Sequence, residues 1–88
     1  MVGEACWFKA TKGFVGVRHD GGRFSILFFQ DWPGERIDRG DRLEWSEGAA
    51  EKLSVQNRTK NTAFTNVLWD YSGLTEGDAR NKMGLSLD

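Results

Sequence analysis

The sequence predicts an all-β domain in which short antiparallel strands form one small barrel. Apolar and polar residues alternate with a period of two in several short runs, as expected of strands with one buried face. Eleven glycines and a single proline favour tight turns between short strands over long helices. One domain is expected, because 88 residues enclose only one small hydrophobic core.

Six short segments have strand character, and turn residues separate several of them. The second shows the alternation clearly, since Val15 and Val17 share one face and Phe14 lies on the other. Asp20-Gly21-Gly22 is a strong tight-turn signal, so the first three strands should form a meander. The residues expected to point inward are Val15, Val17, Leu27, Leu43 and Val67. The predicted strands are Glu4 to Lys9, Phe14 to His19, Arg23 to Phe29, Arg42 to Ser46, Lys52 to Asn57 and Thr62 to Trp69.

The register of the third strand decides which of its side chains face the core. We expect Ser25 and Leu27 inside and Phe24 and Ile26 outside. A slip of one residue would exchange these two faces.

The barrel is expected to occupy residues 1–70, followed by a flexible, acidic tail over residues 71–88. The tail offers few apolar anchors, so disorder is predicted for it, with a weak helix from Thr75 to Met83 as the alternative. Its acids, together with the neighbouring Asp70, outnumber its bases: Asp70, Glu76, Asp78 and Asp88 against Arg80 and Lys82.

Composition limits the function. The net charge is −1, but between Trp7 and Gln30 four basic residues stand against one acid, so a local positive face is expected. Cys6 is the only cysteine, which excludes an internal disulfide and a cysteine zinc site. No apolar run reaches the roughly 20 residues of a membrane span, and no signal pattern opens the chain, so a cytoplasmic protein is expected. His19 is predicted to be a loop residue, and Asp38 with Asp41 a solvated pair, so no enzyme, metal or cofactor is predicted.

The segment from Cys6 to Phe14 is the most informative motif. Trp7 and Phe8 are followed, after a short turn, by Lys12-Gly13-Phe14. Flat aromatic faces beside a cation suit single-stranded nucleic acid, because bases stack on the rings and the ammonium meets a phosphate.

This motif resembles the first two strands of the cold-shock domain, an OB-type barrel in which Lys-Gly-Phe begins the RNP1-like strand. Ser25 to Trp32 is similar to that family's RNP2-like strand and its exit. Ile37 to Trp45 resembles the entry into its fourth strand, and Ala63 to Val67 the close of its fifth. The resemblance therefore implies a five-stranded antiparallel barrel, here with an extended last hairpin.

The chain departs from the family pattern at three RNP positions. Gly16 stands where the family has a second stacking ring, Ile26 replaces an aromatic, and Phe28 replaces a histidine. Two stacking rings are therefore lost or reduced and one is gained, which bears directly on the expected affinity.

The resemblance implies a monomeric, non-catalytic protein that binds single-stranded RNA or DNA with low sequence specificity. The alternative is a barrel of this type diverted to protein–protein binding, because aromatic side chains are also enriched at protein interfaces. The residues expected to contact nucleic acid are Trp7, Phe8, Lys9, Lys12, Phe14, Arg18, Phe28, Phe29, Trp32 and Lys60.

Overall fold

The computed structural model describes residues 1–46 and 52–84, and within them it shows a closed antiparallel β-barrel followed by one short helix. This confirms the predicted all-β barrel. It has six strands in the described ranges, rather than the five that the cold-shock resemblance implied. The elements are β1 (Val2–Lys9), β2 (Phe14–Arg18), β3 (Phe24–Phe29), β4 (Arg42–Glu44), β5 (Lys52–Asn57), β6 (Thr62–Leu74) and α1 (Glu76–Met83), with 3-10 turns at Ala10–Lys12 and Gly34–Arg36.

The barrel is built from two three-stranded meanders joined at both edges. Around the barrel the strand order is β1, β2, β3, β6, β5, β4, and β4 pairs with β1 to complete the circle. One junction places Phe29 of β3 opposite Val67 of β6, and the other places Val2 opposite Glu44. Within the described ranges the strands therefore leave no open sheet edge.

The barrel interior is filled by the side chains that the alternation predicted. Val15, Val17, Leu27, Leu43 and Val67 are all completely buried. They pack in one cluster with Ala5, Phe29, Ile37, Trp45, Leu53, Val55 and Phe64.

The predicted register of β3 is correct, although its outer face is also covered. Ser25 lies opposite Val17, Leu27 lies opposite Val15, and both β3 side chains are buried. Phe24 and Ile26 lie outside the interior cluster, yet they are only 3% and 0% exposed. They are buried because α1 packs against the outer face of β2 and β3.

The prediction of a disordered tail is wrong for residues 71–84, and the alternative of a helix from Thr75 to Met83 is close to the observed α1. β6 continues to Leu74, which pairs with Phe24, so the predicted boundary after residue 70 falls inside a strand. In α1, Thr75 caps the first turn by accepting a hydrogen bond from the Asp78 N–H, and the helix ends at Gly84. Ala79 and Met83, one helical turn apart, are fully buried, and this burial holds the helix on the sheet. Residues 85–88 of the predicted tail lie outside the described residues.

Candidate nucleic-acid interface

The outer face of β1, β2 and β3 carries a row of side chains that α1 leaves partly exposed. Lys9 lies opposite Phe14, Phe14 lies opposite Phe28, and Phe28 lies opposite Leu68 of β6. All four side chains are half-buried. The Phe14 and Phe28 rings meet edge to face, with centroids 6.1 Å apart. We call these four residues the open row.

The turn beside the open row explains why Phe28 and Lys12 lie where they do. Gly13 ends the 3-10 turn with φ of +73°, and a Cβ on it would stand 2.9 Å from the Phe28 ring. Glycine therefore gives the turn its left-handed residue and leaves room for the ring. The Phe29 N–H donates to the Gly13 carbonyl at 2.8 Å, which ties the turn to β3 and holds the exposed Lys12 at the rim.

The next part of the same outer face is covered by α1. Trp7 stacks on Phe24 with ring centroids 4.7 Å apart and planes within 6°. The Arg80 guanidinium lies over the Trp7 ring, 5.3 Å from its centroid. Trp7 is therefore packed rather than displayed. We call this group the covered cluster; it consists of Trp7, Phe24, Ile26, Ala79 and Met83.

Gly16 forms the floor of the covered cluster, and its missing side chain has a direct structural reason. A Cβ at Gly16 would lie 2.9 Å from Trp7 Cε3 and 3.0 Å from Met83 Sδ. The ring that the cold-shock pattern places at this position has no room here, because Trp7 and Met83 fill the space.

A β-bulge decides which of the two adjacent aromatics at the start of the chain faces outward. The register of β1 against β2 shifts between Ala5 and Trp7, so Trp7 lies opposite Gly16 while Phe8 lies opposite Val15. Phe8 thus shares the inward face and packs against the interior cluster. The bulge re-phases the strand, which the period-two pattern alone does not predict.

Three predicted contact residues belong to the interior and to its border rather than to the outer face. Phe29 is 3% exposed and packs edge to face on Phe64, so its ring lies in the interior and not on the outer face where the contact was predicted. Phe8 and Trp32 are partly buried against the interior cluster and meet edge to face at 6.4 Å. Neither of them belongs to the open row.

Two of the predicted cations are already paired with carboxylates. Arg18 lies 3.6 Å from Glu4, an exposed pair of little energetic weight. Lys60 sits at the β5–β6 turn, away from the end of that hairpin at which Leu68 lies. Its ammonium contacts the carboxylates of Asp38 and Asp41. Lys9 and Lys12 therefore remain, within the described ranges, as the predicted contact cations without an ion pair.

A buried polar network around Asn57 and Asp41 was not expected. Asp41 is 5% exposed rather than solvated, and Asn57 is completely buried. The Asn57 amide donates to the Asp41 carboxylate at 2.8 Å and to the Arg36 carbonyl at 2.9 Å. Its oxygen accepts from the backbone N–H groups of Thr59 and Lys60. The network joins the loop before β4 to the β5–β6 turn.

The network shifts the pKa values of both ionised partners in the direction of their charged forms. Burial of Asp41 opposes its ionisation, but hydrogen bonds from the Asp38 N–H, the Asn57 amide and Lys60 hold its pKa below the usual range. The hydrogen bond to Asp38 raises the pKa of Lys60 against a smaller opposing effect of desolvation.

The remaining chemically active side chains have structural partners. Burial raises the pKa of the Cys6 thiol to about 11, and Sγ lies 3.4 Å from the Gly16 carbonyl oxygen. His19 bridges Val2 and Ser25, with Nδ1 2.7 Å from the Val2 carbonyl and Nε2 2.6 Å from Ser25 Oγ. Ser25 is completely buried, so this pair fastens the β2–β3 turn to β1 and offers no accessible nucleophile. The described residues contain no group of three or more potential metal ligands and no helix long and apolar enough to cross a membrane.

No family model matches the chain, and neither a curated protein nor a solved structure does. The likeness to the cold-shock domain therefore remains a prediction from the sequence motifs, and the geometry of the outer face is the structural feature that bears on function.

Proposed function

We propose that this domain binds single-stranded RNA or DNA with low sequence specificity, using the open row as its contact surface. The observation that carries the proposal is the pairing of two partly exposed rings, Phe14 and Phe28, on neighbouring strands. Lys9 flanks them on β1, and Lys12 stands exposed on the adjoining turn. Aromatic rings beside cations match the two components of a nucleic-acid strand, its bases and its phosphates.

The mechanism is stacking of successive bases on Phe28 and Phe14, with Lys9 and Lys12 neutralising phosphates. Each stacked base contributes about 1–3 kcal/mol, so two bases contribute about 2–6 kcal/mol. That range corresponds to weak binding, from tens of millimolar to tens of micromolar. Stacking is tolerant of base identity, which explains the proposed low specificity. Such a protein competes with base pairing, as the cold-shock resemblance implies for an RNA chaperone or a regulator of transcription or translation.

The experiment is a titration of fluorescently labelled oligo-dT and oligo-U at 50 and 200 mM salt, read by anisotropy. Two neutralised phosphates give a slope of about −1.4 in log K against log salt, which is a loss of about sevenfold over this range. Lys12→Ala should reduce the slope by about 0.7. Arg58→Ala is the matched control, because it removes one positive charge from the β5–β6 turn, where Arg58 pairs with Glu44.

The ring substitutions test the stacking directly. Phe14→Ala and Phe28→Ala should each weaken binding by about 1–3 kcal/mol. Val2→Ala is the control, since Val2 is an exposed apolar residue on β1 outside the open row. The proposal fails if the wild type does not bind either oligonucleotide at low salt, or if both ring variants bind as tightly as the wild type.

A protein partner is the second candidate, and one observation favours it. The net charge is −1, and the ion pairs of Arg18 and Lys60 leave two of the four predicted contact cations, Lys9 and Lys12, for phosphates. A protein partner for the open row predicts no oligonucleotide binding at either salt concentration, so the same titration separates the two candidates.

A further inference from the structure

α1 is a short element whose helical structure depends on docking. It has eight residues, whereas isolated helices shorter than about 12 residues are marginal in water. Gly77 further lowers its helical propensity. The helix buries two side chains, Ala79 and Met83, both within the covered cluster. Loss of these contacts would therefore release the helix as a unit.

The surface beneath α1 is a direct continuation of the open row. Lys9, Phe14 and Phe28 form one cross-strand row, and Trp7, Gly16 and Ile26 form the next row on the same outer face. The two rows are two residues apart along each of β1, β2 and β3, which is about 7 Å. A strand of nucleic acid longer than the open row would therefore meet the covered cluster next.

Arg80 covers the face of the Trp7 ring on which a ligand would stack. Its guanidinium lies over the indole ring, where a base or another cation would otherwise stack. Arg80 Nε is buried and has no hydrogen-bond partner among the described residues, which opposes docking of α1. An undocked Arg80 would be free to donate a hydrogen bond to a phosphate, and such a charge-assisted bond is stronger than a bond between neutral groups.

α1 also reaches the open row itself. Lys12 Nζ lies 3.2 Å from the position that a Cβ on Gly84 would occupy, just beyond the last turn of the helix. The carbonyl groups at a helix C-terminus carry partial negative charge and attract a lysine. Docked α1 thus competes for Lys12 as well as for Trp7.

We propose that the covered cluster is the second half of the nucleic-acid interface and that α1 is its built-in competitor. A single strand long enough to extend past Phe14 displaces α1, stacks a base on Trp7 and recruits Lys12. This inference rests on the proposed function, and it adds a length-dependent step to it.

The first test uses the wild-type protein and hydrogen exchange. Protection of the α1 amides from exchange is measured in the free protein and in the presence of saturating oligo-dT. Two lengths of oligo-dT are used, one of about three nucleotides and one of about ten. The short strand should leave α1 protected, and the long strand should reduce its protection at least fivefold. Unchanged protection of α1 with the bound long strand overturns the inference.

The second test removes the competitor by substitution. Ala79→Asp places a charge in the buried contact and should undock α1, while the interior cluster does not include residue 79. Asn81→Asp adds the same charge at an exposed position of the same helix. Added negative charge alone weakens binding to nucleic acid, so tightening by Ala79→Asp would be due to release of the face. We expect at least fivefold tightening for the long strand, because removing a competitor raises the binding-competent fraction.

A substitution at Trp7 tests whether the tighter binding of Ala79→Asp comes from exposure of this ring. Trp7→Ala in the Ala79→Asp background should remove the tightening, whereas the length-independent binding through Phe14 should persist. If the wild type and Ala79→Asp both fail to bind, the proposed function fails and the inference fails with it. If the wild type binds through Phe14 but Ala79→Asp does not tighten, the inference alone is wrong. Should Ala79→Asp unfold the barrel, the hydrogen-exchange result on the wild type decides.

Discussion

Replacement of Asn57 by alanine should destabilise the barrel more than any surface substitution. Its side chain makes four hydrogen bonds and is completely buried. The bond to the Asp41 carboxylate contributes about 1.5–3 kcal/mol, and the bond to the Arg36 carbonyl about 1 kcal/mol. The N–H groups of Thr59 and Lys60 lie at a partly exposed turn, where water can replace the lost acceptor, so they add about 1 kcal/mol together. The expected loss is about 3–5 kcal/mol.

This loss is large against the whole stability of the domain. A chain of this length has a free energy of unfolding of about 4–13 kcal/mol, so Asn57→Ala should be marginally folded or unfolded. Urea unfolding followed by far-ultraviolet circular dichroism measures the difference. Gln56→Ala is the matched control, since it truncates an exposed amide at the next position of β5 and should change stability by less than about 0.5 kcal/mol. A loss below about 1 kcal/mol for Asn57→Ala would refute the assignment of the network as a structural centre.

Three further predictions concern Asp41, Gly16 and Cys6. Because the pKa of Asp41 is lower in the folded protein than its ordinary value of 3.8, ionised Asp41 stabilises the fold above pH 3.8, and this stabilisation is lost as the pH falls through the folded pKa. The difference in unfolding free energy between wild type and Asp41→Asn should therefore narrow from about pH 6 to pH 3. A constant difference would contradict this prediction. Gly16→Ala should cost about 1–3 kcal/mol of packing and lower amide protection in α1, whereas Gly77→Ala, which meets open space, should raise it; equal protection in both variants argues against the close contact. With its pKa raised to about 11 from 9.0, Cys6 should have about 100-fold less thiolate at neutral pH than an ordinary thiol, so iodoacetamide should label it slowly until urea unfolds the protein; rapid labelling of the folded protein would refute this.

The barrel could be predicted because its signals are local. Val15 and Val17 alternate with outward residues, and Asp20-Gly21-Gly22 specifies a tight turn, so each strand is encoded in a few neighbouring residues. The facing of Trp7 and Phe8 could not be predicted in the same way. It depends on the bulge between Ala5 and Trp7, which is fixed by the pairing of β1 with distant residues of β2.

The Asn57 network escaped prediction because its residue types have an ordinary surface role. Asp38, Asp41 and Asn57 occur in turn-like surroundings, where such side chains are usually solvated. Asp41 and Asn57 are buried here because the loop before β4 and the β5–β6 turn, separated along the chain, close on each other. Spacing alone carries no information about that contact.

Part of the predicted tail forms α1, although its composition gives little indication of a packed helix. Its residues are polar on average, and two apolar side chains are too few to signal a packed element. Ala79 and Met83 are nevertheless one turn apart, and Thr75 and Gly84 supply the two caps, so one face of a short helix is complete. Such a helix needs a complementary surface, and Gly16 supplies it by leaving space between Trp7 and Ile26.

The absence of a side chain at Gly16 and the packing of Met83 therefore depend on each other. A ring at residue 16 would give the outer face a fixed stacking surface and would exclude α1. Glycine at this position allows Met83 to enter and Arg80 to lie over Trp7. In our proposal, the departure from the cold-shock pattern exchanges a fixed ring for a helix that a long single strand displaces. If the single-strand proposal holds, the missing ring lowers the affinity for short oligonucleotides. Long oligonucleotides displace α1 and stack on Trp7 instead. Affinity should then rise more steeply with oligonucleotide length in the wild type than in Ala79→Asp, and parallel length dependences would show that α1 is a permanent part of the fold.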